Sequence, residues 1–114
     1  MTSEPWRLSS RASAVCEREE ITLSVASVWE IGIKSNNGGL ELPEEPAGYI
    51  SKQIRIAGLS VLPVQYRHAL TAASLPLKHK DPFDRMLAAQ SIEEKLPFVT
   101  RDPIFREYGV ETIW

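Results

Sequence analysis

The chain has 114 residues, 43% of them apolar, enough for the core of one small domain spanning 1–114 and too many for a disordered chain. Its 15 acids and 13 bases leave a formal charge of −2, which excludes binding to nucleic acid through an extended basic surface but not an enzyme whose acids hold a metal. No stretch approaches the ~20 apolar residues of a membrane span, no basic-then-apolar leader opens the chain, and the single Cys16 excludes an internal disulfide and zinc-ligand spacing, so a cytoplasmic protein is expected.

Ser9 or Ser10 can cap a first helix running to about residue 19, with Ala12, Val15 and Cys16 facing inward. Residues 21–25 alternate as a strand, and a helix follows over 26–35 until Asn36-Asn37-Gly38-Gly39 stops it. A third helix is expected near 47–57, ended by Gly58, and a short strand over 60–64. Residues 65–74 read as a helix with Ala69, Leu70 and Ala73 inward, closed by Pro76. The clearest helix covers 83–95. Pro97-Phe98-Val99-Thr100 is a strand, 103–108 a helical turn broken by Gly109, and 111–114 a terminal strand. Helices alternating with short apolar strands predict an α/β domain with a parallel sheet, whose sites form beyond the carboxyl ends of the strands.

Three acids stand out in that frame. Asp84 lies in Asp81-Pro82-Phe83-Asp84-Arg85, Asp102 in Val99-Thr100-Arg101-Asp102, and Glu30 in the apolar setting Ser27-Val28-Trp29-Glu30-Ile31. Converging carboxylates suit a hard divalent cation, Mg²⁺ or Mn²⁺, and a cation that keeps open positions suits phosphodiester cleavage. Each acid also has a plainer explanation. Asp81 and Asp84 suit a helix start with Pro82 at its first position, and Asp102 before Pro103 repeats that device. Glu30 can pair with Lys34 one helical turn on, although its helix reads as largely buried, where an unpaired carboxylate is costly. Lys78, Lys80, Arg85 and Arg101 bring positive charge near the acids, and Ser24, Ser27, Thr100 and Arg101 could support them by hydrogen bonds. His79 could touch a substrate phosphate, while His68 suits a surface or core position better than a catalytic one. No nucleophile elbow, Walker loop or dinucleotide fingerprint is present.

The same segments carry a resemblance. Val25-Ala26-Ser27-Val28-Trp29-Glu30-Ile31-Gly32-Ile33-Lys34, the stretch from Leu75-Pro76 to Gln90, and Leu96 to Asp102 with the ending Tyr108-Gly109-Val110 to Trp114 resemble PIN-domain ribonucleases, in particular VapC-type toxins of toxin–antitoxin pairs. The likeness covers about 8–114. It implies a Rossmann-like, three-layer PIN fold and a Mg²⁺- or Mn²⁺-dependent endoribonuclease. It also implies an RNA substrate, a cognate antitoxin and a homodimer. Glu30, Asp84 and Asp102 take the family's catalytic and metal-binding roles, with Asp81, Thr100 and Arg85 in support. Tyr49, Ile50 and Ile54 offer a helical stripe for antitoxin contact or for packing within the domain or a dimer. Leu8-Ser9-Ser10-Arg11-Ala12 already matches the stretch after the family's first helix, so the chain reads as N-terminally truncated, without the first strand and its aspartate. That puts nuclease activity in question. The alternative is a nuclease-dead PIN remnant that binds an antitoxin or another partner.

Overall fold

Two parallel strand pairs, each closed by a helical crossover, organise the chain in a computed structural model that describes residues 10–76 and 80–114. In the first pair, β1 (Thr22–Ser24) leads through α2 (Val25–Asn36) and α3 (Pro46–Ala57) to β2 (Ser60–Leu62). Thr22 stands opposite Ser60, Leu23 opposite Val61 and Ser24 opposite Leu62. In the second, β3 (Phe98–Val99) leads through the short α6 (Ile104–Glu107) to β4 (Thr112–Ile113), with Phe98 opposite Thr112 and Val99 opposite Ile113. Parallel neighbours need such crossovers because a tight hairpin cannot join them. The N-terminal α1 (Ser10–Arg18), α4 (Tyr66–Ser74) and α5 (Pro82–Glu94) complete the described elements. The fold is PIN-like α/β with short parallel strands, as expected. Within the described residues, the strands form two ladders rather than one continuous sheet.

Element ends follow local chemistry. Ser24 is extended and its hydroxyl accepts from the Ala26 N–H, so the strand turns into α2 one residue earlier than the alternation suggested. Gly58 ends α3 at a φ of 64°, in the left-handed region where glycine carries no Cβ penalty. Pro63, which has no N–H to give a ladder, follows the last residue of β2. Asp81 accepts from the N–H groups of Phe83 and Asp84, and Pro82 takes the first helical position of α5. At the other end of α5, Lys95 adopts a left-handed φ of 55° without being glycine.

Helix α5 runs through the middle of the molecule. Leu87, Ala88, Ala89, Gln90 and Ser91 are all buried, so the helix is enclosed on almost every side along that span. Its Leu87 and Ala88 join Ala26 of α2, Phe98 of β3, Phe105 of α6, Tyr108 and Val110 in one apolar cluster, with Leu62 of β2 at the margin. Phe98 and Phe105 stack there at a ring separation of 4.5 Å. The small Ala88 and Ala89 let neighbouring backbone approach closely, which suits a central helix.

Two expected faces are corrected. α4 buries His68 and Ala72, whereas Ala69, Leu70 and Ala73 point outward, Leu70 being 55% exposed. Polar bonds roll the helix that way: Gln65 N–H donates to His68 Nδ1 at its start, and His68 Nε2 lies 2.9 Å from Glu94 of α5. α2 is not largely buried either. It contacts α5 and α3 on one side and leaves Val25, Trp29 and Ile33, spaced four residues apart, on an exposed stripe. Tyr49, Ile50 and Ile54 of α3 are half-buried, and Ile56 is that helix's open apolar residue. Ser9, Lys78, His79 and the stretch 1–7 lie outside the described residues.

Candidate active site

Glu30 sits a turn and a half into α2, and its side chain is only 18% exposed. Its partner is Lys34 Nζ, 3.5 Å from Oε2, the i,i+4 ion pair read from the sequence. The pair does not neutralise the site. Burial raises the Glu30 carboxyl's pKa above its ordinary range, Lys34 opposes that shift, and the charges of Asp84 and Asp81 raise it further. Glu30 and the two aspartates at the head of α5 thus share one electrostatic environment, although 54 residues separate Glu30 from Asp84 (84 − 30). The α2–α5 packing that buries Ala26 against Leu87 and Ala88 brings them together.

The three acids there divide the work. Asp81 Oδ1 is occupied by the cap of α5, with distances of 2.9 Å to Phe83 N and 3.3 Å to Asp84 N. Asp84 lies in the first turn of α5, where the helix dipole stabilises negative charge. Glu30 approaches from the facing helix. Asp102 stands apart on the exposed loop after β3. Its Oδ1 accepts from Ile104 N–H at 3.0 Å, and its own N–H donates to the buried Thr100 Oγ1 at 3.1 Å. Among the described residues, no three Asp, Glu, His or Cys side chains stand close enough together to hold a metal ion. Glu30 with Asp84 nevertheless fits a hard cation, because Mg²⁺ is commonly held by one or two carboxylates, with water and phosphate oxygens in its other positions.

Arg85 follows Asp84 but is turned the other way. One of its terminal nitrogens donates to the Ala72 and Leu75 carbonyls at 2.8 and 2.9 Å, and the other to Pro76 O at 3.1 Å. Ala72 O lies in the last turn of α4, where carbonyls lack helical partners, and Leu75 and Pro76 follow the helix directly. The guanidinium therefore fastens the end of α4 to the head of α5.

A buried polar chain behind the site was not foreseen. Ser24 Oγ donates to Gln90 Oε1, and Gln90 Nε2 donates to Pro63 O at 3.3 Å and lies 3.4 Å from His68 Nδ1. The Gln65 N–H directed at Nδ1 leaves the proton of neutral His68 on Nε2, directed at Glu94. That hydrogen bond, reinforced by Arg67, lowers the pKa of the Glu94 carboxyl. Gln90 and His68 are both fully buried. A glutamine within the apolar run of α5 was the available signal, since a fully enclosed amide must find partners.

Residues 7–111 match the PIN domain, and the chain belongs to that family. It is 41% identical over 59 residues to Ribonuclease VapC16 of Mycobacterium tuberculosis, a match covering 52% of this chain and 42% of that relative, less than half its length. The fold resembles the crystal structure of FitAcB from Neisseria gonorrhoeae with a TM-score of 0.69 at 20% identity, covering 100% of this chain and 97% of that one. It also resembles the structure of FitAB bound to an IR36 DNA fragment, with a TM-score of 0.66 at 20% identity and coverage of 99% and 94%. At that identity the two structures speak for the fold alone.

Proposed function

We propose that this PIN-domain chain is a Mg²⁺- or Mn²⁺-dependent endoribonuclease of the VapC kind, cytoplasmic, homodimeric and held in check by a cognate antitoxin. The observation that carries the reading is the packing of α2 on α5, where the rings of Trp29 and Phe83, the residues that precede Glu30 and Asp84, meet with centroids 5.0 Å apart, in a chain similar over part of its length to a ribonuclease.

Glu30 and Asp84 would hold the cation, with water and phosphate oxygens in its other positions, and Asp102, on the loop after β3, would exchange a proton with the attacking water or the leaving oxygen rather than serve as a third ligand. When bound, the metal supplies an acidified water and neutralises charge on the phosphate oxygens. The chain's own groups do the positioning. Asp81 fixes the first turn of α5 and with it Asp84. Lys34 tethers Glu30, and Thr100 shapes the turn that presents Asp102. Hydrolysis forms a bond from water oxygen to phosphorus and breaks one ester bond, and the leaving oxygen takes a proton.

A specific observation favours a second reading. Asp102 already has a capping partner and stands outside any three-acid group, which suits a PIN protein that retains an antitoxin-binding surface without cutting RNA. The two readings separate when the purified chain is incubated with labelled single-stranded RNA and DNA in Mn²⁺ and in EDTA. The nuclease reading expects RNA cleavage that disappears in EDTA and in Asp84→Asn. Intact RNA under every metal condition would leave the binding reading, and cleavage that survives both EDTA and Asp84→Asn would refute this site.

A further inference from the structure

Each principal acid is preceded in sequence by an aromatic residue, and the two rings meet. Trp29 precedes Glu30 on α2, Phe83 precedes Asp84 on α5, and their centroids lie 5.0 Å apart with planes at 69°. Phe83 is half-buried at the helix head, while Trp29 is 65% exposed. In an edge-to-face pair one ring turns its rim to the other's face, so Phe83 covers at most one face of the indole. With Trp29 65% exposed, much of the indole remains open to solvent, one residue along the chain from Glu30. Val25 and Ile33, above and below on the same stripe, are aliphatic and meet no aromatic partner of this kind.

We propose that the Trp29–Phe83 pair is a stacking platform for an unpaired nucleobase, and that it positions single-stranded RNA against Glu30 and Asp84. The proposal rests on the ribonuclease reading of that site. Carboxylates without a cation repel a phosphate backbone, and a contact that does not depend on charge adds a hold on the strand beside them. Base–aromatic stacking is such a contact, and it tolerates sequence because every base has a π-face. Bases inside a duplex are already stacked on both faces, so the platform selects loops and single strands. Phe83 packs against one side of the indole and limits its motion, so less rotamer freedom is lost when a base arrives.

The test uses the full chain carrying Asp84→Asn, which removes cleavage and one repelling charge. Binding of a fluorescent ten-nucleotide single-stranded RNA is followed by anisotropy, with a duplex of the same sequence as comparison. Trp29→Ala should weaken single-strand binding roughly tenfold, Trp29→Tyr should restore most of it, and duplex binding should not change. In the wild-type background with Mn²⁺, Trp29→Ala should raise KM far more than it lowers kcat. If RNA is cleaved but Trp29→Ala leaves both the single-strand affinity and KM unmoved, the platform is refuted and the ribonuclease reading stands. If single-strand binding depends on Trp29 while no cleavage occurs in any metal, the ribonuclease reading fails and the platform stands. If Trp29→Ala changes the sedimenting mass but not RNA affinity, the stripe is a protein interface and the platform is refuted. Thermal melting of each variant checks that the fold is kept.

Discussion

The Ser24 hydroxyl donates a hydrogen bond to the Gln90 carboxamide across 66 residues of sequence. It joins the cap of the helix that bears Glu30 to the centre of the helix that bears Asp84. Replacing Gln90 by Leu keeps much of the volume but leaves the buried Ser24 hydroxyl without its acceptor. An unpaired buried group costs about 1–3 kcal/mol. Gln90→Leu should therefore lose about 1–3 kcal/mol in urea denaturation, and a loss below about 0.5 kcal/mol would show that this chain of bonds contributes little.

Arg85→Lys tests the fastening of α4. A lysine keeps the charge but cannot reproduce the planar fork that reaches three carbonyls. The substitution should cost about 1–3 kcal/mol. It should also speed hydrogen exchange in the last turn of α4 more than in β3. Unchanged exchange in that turn would contradict the role.

Glu30→Gln separates stability from chemistry. Burial, with Asp84 and Asp81 nearby, keeps the Glu30 pKa raised despite Lys34. The folded chain therefore holds that proton more tightly than the unfolded chain. The resulting contribution to stability is fully present below the ordinary carboxylate range and is lost as pH rises through the raised value. At neutral pH, Glu30→Gln should hold or raise the melting temperature by a few degrees, abolish protection by Mn²⁺, and abolish cleavage. Protection by Mn²⁺ that persists in this variant would remove Glu30 from the metal site.

At Asp102 the comparison is between two substitutions. Asparagine caps a helix start about as well as aspartate, whereas alanine costs about 1 kcal/mol. Asp102→Asn should leave the melting temperature nearly unchanged and lower RNA cleavage by about a hundredfold or more. Full cleavage by Asp102→Asn would reduce this residue to the turn it closes with Ile104.

Much of this architecture is written in short-range chemistry. Asp81-Pro82 announces the head of α5 and Gly58 and Gly109 occupy positive-φ positions, whereas β2 stops before Pro63, two residues short of the expected 64. Such signals act within a few residues and survive without knowledge of the rest of the fold. The roll of α4 was not legible, because the Ala69, Leu70 and Ala73 pattern competes with a histidine whose partner, Glu94, is 26 residues away. The open side of α2 was misread for a related reason: apolar content shows that a helix could be covered, not that a neighbour covers it. Lys95, expected as the last residue of its helix, instead caps α5 in the left-handed region. Asp102 was expected to cap the helix after it, but Pro103 holds the position before α6 and has no side chain to cap with, and Asp102 closes a turn one step earlier by accepting from Ile104 N–H. The hydrogen bonds of Gln90 and the docking of Arg85 on α4 depend on tertiary neighbours that no local pattern reveals.

The division of the strands into two ladders has a consequence for how the acids could be tuned. Glu30 follows from β1 and Asp102 from β3, so among the described residues no hydrogen-bonded ladder connects the backbones that carry them. Their separation is transmitted through side-chain contacts on α5, chiefly those of Leu87 and Ala88. A ladder sets distance in fixed steps, whereas apolar contacts adjust by fractions of an ångström as volumes change. Alterations at Leu87 or Ala88 would therefore act as a fine adjustment of carboxylate spacing, with every acid kept in its own turn of backbone.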